Sequence, residues 1–422
     1  MNWKGAEEND KQEIQVGSNV AGHCGCSERG WPSASAVTYY LGNGSVIVDQ
    51  DGNGAFSYQE GHEKHTYVNE DKEQTGDGTI YVKDGNGPEV VPPSTDNSEN
   101  GTEKTTPTDH TTDSSADNTE NSSTSETTTG NTITVKEGVK DATIVVDSVN
   151  VDTTSTPTEV ATDTGNTGDK TIIKVGEGAN VDLTVKDSNL TTGGHGIDIG
   201  VNLEGKDENK GANVDLTLDN TKINLTQNGK AGINVQDNSN VDLTLKDKNT
   251  IDGSKAIENE KEDILTKNVN VEGIRVGDGG ASDGSGTSEG ANTKLTISGG
   301  VEKTETAETD TEETESPAGG SLTISDTTGG LVMADGSDVE ITDGADVTIE
   351  ETKTSGSTQA GRGVTQHGDL TISGGSSLKI DGVEDNAKQA SHTGIGIASW
   401  DDITVEDGST LEISDATTGI YG

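Results

Sequence analysis

The residues best arranged for chemistry lie near the N-terminus. In "DQDGNGAFSYQE", Asp49, Asp51, Asn53, Ser57 and Glu60 occupy positions 1, 3, 5, 9 and 12 of an EF-hand-type loop. Gly54 stands at the sixth position, and the carbonyl of Ala55 would serve as the seventh-position ligand. Calcium takes about six to eight oxygen ligands, and this spacing can wrap a chain around one ion. The flanks, "GSVIV" and "GHEKH", are not helical, so a turn between two strands competes with the calcium loop. Two weaker metal patterns accompany it. Cys24, Cys26, His62 and His65 could form a Cys2His2 zinc set, although CxC is less favourable than CxxC. "GGHGIDIG" (193–200) partly matches a calcium β-roll repeat, but it occurs once, and a Gly-rich corner turn explains it equally well. Trp400 is the candidate ligand platform, since sugars stack on aromatic rings; an edge residue covering a corner is the plainer reading. No Ser/His/Asp set or phosphate-cradling loop is discernible, and the three Arg (Arg29, Arg275, Arg362) do not cluster as a lyase acting on acidic sugars would need. The chain therefore reads as non-enzymatic, with no cofactor required and calcium as the one ion it could use.

Composition narrows the partners. The 422 residues carry 76 acidic against 28 basic side chains, a formal net charge of −48. That balance excludes nucleic acid as a main partner, because phosphate contacts need clustered Lys and Arg. No run is long and apolar enough for membrane insertion. Only 27% of residues are hydrophobic and 2% aromatic, too few for a conventional layered core. A thin, continuous core built from repeated coils meets that limit.

The elements that would position these residues fall into three stretches. Residues 1–92 hold short β-prone runs separated by Gly, Asn and Asp, and read as a small, incomplete β-rich segment. Residues 93–130 contain no Ile, Val, Leu or aromatic, and read as a disordered, acidic Thr/Ser-rich linker. From residue 131 a repeat appears: "NVDLTVKDSNL" (180–190), "NVDLTLDNTKINL" (213–225), "NVDLTLKDKNTI" (240–251), "DVEITDGADVTI" (338–349), "DLTISGGSSLKI" (369–380) and "DITVEDGSTLEI" (402–413). Each is a pair of alternating strands around a turn, with Val, Leu and Ile on one side and Thr, Asp, Ser and Lys on the other. A third run follows, often introduced by Gly, as in "GIDIG" (196–200), "AGINV" (231–235), "KAIEN" (255–259), "EGIRV" (272–276) and "TGIGI" (393–397). Two strands plus one, repeated, predict an all-β fold, a right-handed parallel β-helix: a three-sided β-solenoid over 131–422 with about nine coils, roughly 40 Å long at ~4.8 Å per coil. Insertions such as 277–290 and 301–318 are expected to be solvated loops at one corner. The opening residues lack an apolar secretion segment, and the chain stops at "TTGIYG" inside the repeat, so a truncated piece of a longer product is expected.

Tandem "VDLTV" coils, a Thr-rich acidic stalk and extreme aromatic poverty resemble the β-helical repeat regions of large adhesin-like cell-surface proteins of gut Gram-positive bacteria. The resemblance covers about 131–422. It implies an extracellular or cell-surface location, a monomeric rod, and glycans or a host or matrix surface as partners. It carries no functional residues with it. The alternatives left open are a purely structural surface spacer and a polysaccharide-active β-helix enzyme.

Overall fold

The computed structural model describes residues 37–50, 56–57, 79–85, 129–154, 170–205, 210–259, 269–277, 292–300, 319–354, 360–385 and 393–422. All belong to one compact unit, Ala34–Gly422. Its strands form three sheets of 10, 8 and 11 strands, here sheets 1, 2 and 3. From Lys140 onward the chain visits them in the order 1, 2, 3 and then repeats, which makes a three-sided parallel β-helix.

Eight complete coils run from Lys140–Asp147 (sheet 1), Asn150–Asp152 (sheet 2) and Ile173–Gly176 (sheet 3) to Ile403–Val405, Thr410–Ser414 and Thr418–Tyr421. They are numbered 1 to 8 below. Every strand of a coil pairs in parallel with its counterpart one coil away. Asn180–Lys186 lies against Asn213–Asp219, which lies against Asn240–Lys246, with Leu183, Leu216 and Leu243 aligned.

Alternation builds the core directly. In sheet 1 the inward ladder continues from Leu243 through Ile297 and Ile341 to Ile372. In sheet 2 it is Val151, Leu190, Ile223, Ile251, Ile324, Ile349 and Ile380. These residues are at most 1% exposed, so a few aliphatics per coil suffice where each ladder is continuous. Fully burying one such side chain contributes about 1.5–3 kcal/mol.

The Gly that introduces many third runs has a packing cause. Gly232, Gly273, Gly330, Gly363 and Gly396 occupy one register position of sheet 3, facing the inward Ile of sheet 2. A Cβ at Gly330 would lie 2.3 Å from Ile349 Cγ2, and one at Gly363 would lie 2.4 Å from Ile380 Cγ2. Only a residue without a side chain lets the two sheets meet there.

Corner amides cannot join a sheet ladder, so the next coil supplies their acceptors. Val149 N donates to Ser188 Oγ (3.2 Å), Thr221 N to Asn249 Oδ1 (3.0 Å), Ala345 N to Ser376 Oγ (3.2 Å) and Ser376 N to Ser409 Oγ (3.2 Å). Ser188, Asn249 and Ser376, buried at the corners, are thus fitted to backbone groups.

Three sequence expectations are revised. The sheets begin before residue 131: Val37–Tyr40 and Ile80–Lys83 head sheet 1, and Val46–Gln50 pairs in parallel with Ile133–Val135 in sheet 3. These early runs carry the same alternation, but the apolar-free stretch before residue 131 hides its continuity. Second, "KAIEN" is no third strand. Ser254–Asn259 is a short helix, α1, and Val271–Val276 is the sheet 3 strand of that coil. The residue before Ile257 is Ala256, whereas opposite an inward Ile of sheet 2 the position before the inward residue of sheet 3 is Gly, as Gly273 is before Ile274 and opposite Ile324. Third, insertions occur at all three corners. They follow sheet 2 at 153–172 and 253–270, sheet 3 at 277–292 and sheet 1 at 299–320. Residues 1–36, most of the linker, and the interiors of the 277–290 and 301–318 loops lie outside the described residues.

Candidate functional site: two polar clefts on sheet 2 and its corner

The predicted calcium loop is only partly within the described residues. Asp49 and Gln50 end one strand, and Phe56–Ser57 forms the next, antiparallel to it, with Asp49 opposite Ser57. The loop is therefore framed by a hairpin and not by helices. Asp49 Oδ1 accepts from Gln50 N (2.9 Å), and its Oδ2 pairs with Lys136 Nζ (2.9 Å). Asp51, Asn53, Ala55 and Glu60 lie outside the described residues, as do Cys24, Cys26, His62 and His65. Among the described residues no group of three or more His, Cys, Asp or Glu is arranged to hold a metal ion.

Trp400 follows the sheet 3 strand Ile395–Ser399 and is half exposed. Its ring stacks on His367, one coil earlier at the same corner, with centroids 4.1 Å apart and planes 7° from parallel. Burial pushes the His367 imidazole below its usual pKa; Arg362 adds to this, while Asp335 and Asp401 oppose it. The ring pair lines neither of the clefts described next.

The first cleft lies along the outer face of sheet 2 and has a volume of about 620 Å³. Two columns of outward side chains form it. One runs Lys248, Ser321, Asp346, Ser377 and Thr410; the other runs Thr250, Thr323, Thr348, Lys379 and Glu412. Parallel in-register pairing produces the columns, because position n of one coil lies beside position n of the next. Spacing along each column is ~4.8 Å. Ser377 Oγ donates to Asp346 Oδ1 at 2.6 Å, which ties neighbouring coils together within a column. The cleft thus repeats ammonium donors, carboxylate acceptors and hydroxyls that do both.

The second cleft, of about 610 Å³, sits at the corner between sheets 2 and 3 across coils 1 to 4. Connection lengths create it. In coils 2 and 3 the connection is four residues long, 193–196 and 226–229, whereas coils 1 and 4 use 153–172 and 253–270. The short coil 3 connection lies between Asp152 and Thr154 on one side and Lys255 and Asn259 on the other. The coil 2 connection is tightly packed: a Cβ at Gly193 would lie 2.8 Å from the Lys170 side chain, and one at Gly194 would lie 2.2 Å from Thr171 N. The single "GGHGIDIG" run is the coil 2 connection and its sheet 3 strand, while Thr191, Thr226, Gln227 and Asn228 line the cleft.

Sequence reasoning missed both clefts, and also one buried charge. Glu272 is fully buried in sheet 3, between Ala231 and Gly329 in register. Burial raises its pKa, partly offset by Arg275, whose Nε donates to Oε2. A Glu at a position where neighbouring coils carry Ala and Gly was the available signal.

The chain's outer ladders on sheet 1 behave differently. Asp182, Asp215 and Asp242 align in successive coils, and the Asp215 pKa is raised by burial and then by its two Asp neighbours. Lys83, Asp147, Lys186, Asp219 and Lys246 align with alternating sign. Burial acts to raise the Asp147 pKa, but the Ser148 hydrogen bond, Lys186 and Lys83 together lower it. Among the described residues no helix is long and apolar enough to cross a membrane. Comparison with protein-family models, with curated proteins and with solved structures finds no match.

Proposed function

We propose that this chain is a non-catalytic, adhesin-like repeat protein of the bacterial cell surface that binds an extended glycan along the outer face of sheet 2. One observation carries the reading: the cleft of about 620 Å³ whose two polar columns repeat at every coil. A polymer of hydroxyl-bearing units lying along the stack meets a pair of polar side chains, different in each coil, at each ~4.8 Å step. Lys248 and Lys379 offer donors, Asp346 and Glu412 offer acceptors, and the Thr and Ser hydroxyls offer both. No aromatic lines the cleft, so each step binds weakly and affinity accumulates over repeated contacts. The excess of carboxylates favours a neutral or amino-bearing glycan over an acidic one.

A structural spacer is the second reading, supported by the regular, fully paired ladders of sheet 1. The two separate on an array of glycans and matrix proteins probed with the full chain, with and without calcium. Retention on a defined glycan that strengthens with its length is the outcome expected. A blank array in both conditions discards glycan binding and leaves the spacer.

A further inference from the structure

We infer that the corner cleft across coils 1 to 4 is a second, separate site for a neutral saccharide. It does not rest on the groove of sheet 2, since the two clefts share no residue. Its walls come from opposite ends of the chain segment that encloses it. Coil 1 supplies Asp152 and Thr154, and α1 of coil 4 supplies Lys255 and Asn259. Lys255 and Asn259 are four residues apart, hence on one face of α1.

The site is held in place by bonds that do not consume its binding groups. Asp152 Oδ1 accepts from both the amide (2.8 Å) and the hydroxyl (2.5 Å) of Thr154. Asn259 Nδ2 donates to Thr226 O (2.9 Å), which fixes α1 to the coil 3 connection, and Asp252 Oδ1 accepts from Ser254 N (2.8 Å) at the start of α1. Thr191 Oγ1 accepts from Asn224 Nδ2 (3.2 Å), so its own hydrogen is left to donate elsewhere. Among the described residues, no hydrogen bond or ion pair engages Asp152 Oδ2 or the Lys255 ammonium. The Gln227 amide stands beside the coil 2 connection, 3.1 Å from where a Gly193 Cβ would be.

The chemistry of the lining selects the ligand. No apolar side chain lines the cleft, which excludes an acyl chain or an aromatic ring as the main occupant. One carboxylate and one ammonium cancel, so neither a polyanion nor a polycation is preferred. What remains is hydroxyl and amide, groups that donate and accept together. Vicinal sugar hydroxyls have the same double character. One sugar hydroxyl can donate to Asp152 while its neighbour accepts from Lys255. Both partners of such a pair stand on the same cleft, Asp152 on the coil 1 side and Lys255 on α1. With no aromatic platform, affinity falls in the millimolar range.

The test titrates the full chain with glucose, galactose, mannose and N-acetylglucosamine, read by saturation-transfer NMR and calorimetry, with glucosamine and glucuronic acid as charged counterparts. Asp152→Asn keeps the Oδ1 acceptor for Thr154, and Lys255→Ala changes an exposed side chain, so both fold; melting curves verify this. Saturable binding of a neutral sugar is expected, weakened about tenfold by either substitution. Thr348→Val, in the groove of sheet 2, should leave that binding unchanged, so the two sites fail separately. The inference is overturned if no neutral sugar saturates, if only a charged sugar binds, or if both substitutions leave the Kd within about twofold.

Discussion

Sheets 1 and 2 share a backbone plan but present different outer faces. On sheet 1 the outward residues up to coil 4 form ladders, Asp over Asp over Asp at 182, 215 and 242 and Lys alternating with Asp from Lys83 to Lys246, and the Asp column then continues through Thr296, Glu340 and Thr371. Their partners are each other. On sheet 2 the outward positions mix Thr, Ser, Lys, Asp and Glu, and the columns border a cleft. The corner after sheet 2 adds a second cleft, because short and long connections alternate there. In-register stacking alone therefore makes a regular surface. A site arises where the outward residues vary between coils or where the connections differ in length.

The largest expected effect tests what holds both faces in register. Gly330→Ala places a Cβ 2.3 Å from Ile349 Cγ2 and should cost about 1–3 kcal/mol or more, seen as a lower midpoint in urea. Ile349→Ala, which removes both Cγ2 and Cδ1, should make the Gly330→Ala change cost less than it does opposite Ile349, and the double-mutant cycle would show the coupling. An outward change of similar size on sheet 1, Thr217→Ala, should stay within about 0.5 kcal/mol. Equal losses at the two positions would discard the Gly–Ile packing account.

A second experiment compares the faces directly. Thr323→Val with Thr348→Val on sheet 2, and Thr217→Val with Thr244→Val on sheet 1, are matched changes on outward β positions. Only the sheet 2 pair should weaken glycan retention, by about threefold to tenfold per lost hydrogen bond. Retention that falls equally for both pairs would mean that the ligand does not choose between the faces.

The smallest effect concerns the Asp ladder. Asp215 has its pKa raised, by burial and then by Asp182 and Asp242. A carboxyl with a raised folded pKa favours folding when protonated. That contribution is fully present below the ordinary Asp pKa of 3.8 and is lost as pH rises through the raised value. At neutral pH the charged ladder is a net cost, of about 0.2–1 kcal/mol for like charges side by side, at the low end once solvent screening is included. Asp215→Asn should therefore raise the melting temperature at pH 7, less so in high salt, with the gain disappearing below pH 3.8. A gain that persists at low pH would locate its cause elsewhere than in charge.

Much of the fold was legible locally. The "NVDLT" runs showed which residues point inward, and their turns showed where each strand ends. The sequence offered Trp400 as a ligand platform or an edge residue covering a corner; its stacking partner His367 belongs to another coil and was not legible locally. The N-terminal strands were legible as short β-prone runs, but their place in the same sheets escaped, because the stretch before residue 131 breaks the pattern that identifies a repeat. α1 escaped because "KAIEN" has the right length and position for a third strand; what it lacks is the glycine that the Ile ladder of sheet 2 demands, and that demand shows only in three dimensions.

The sequence by itself determined the alternation of inward and outward residues, the three strands per coil, and the thin aliphatic core, because each depends on neighbours within a few positions. The tertiary structure alone decided which outward residues stand side by side. Insertions make the coils unequal in length, so no fixed period places Asp152 opposite Lys255 or Thr323 beside Thr348. Parallel hydrogen bonding between coils sets those positions whatever length of chain lies between them.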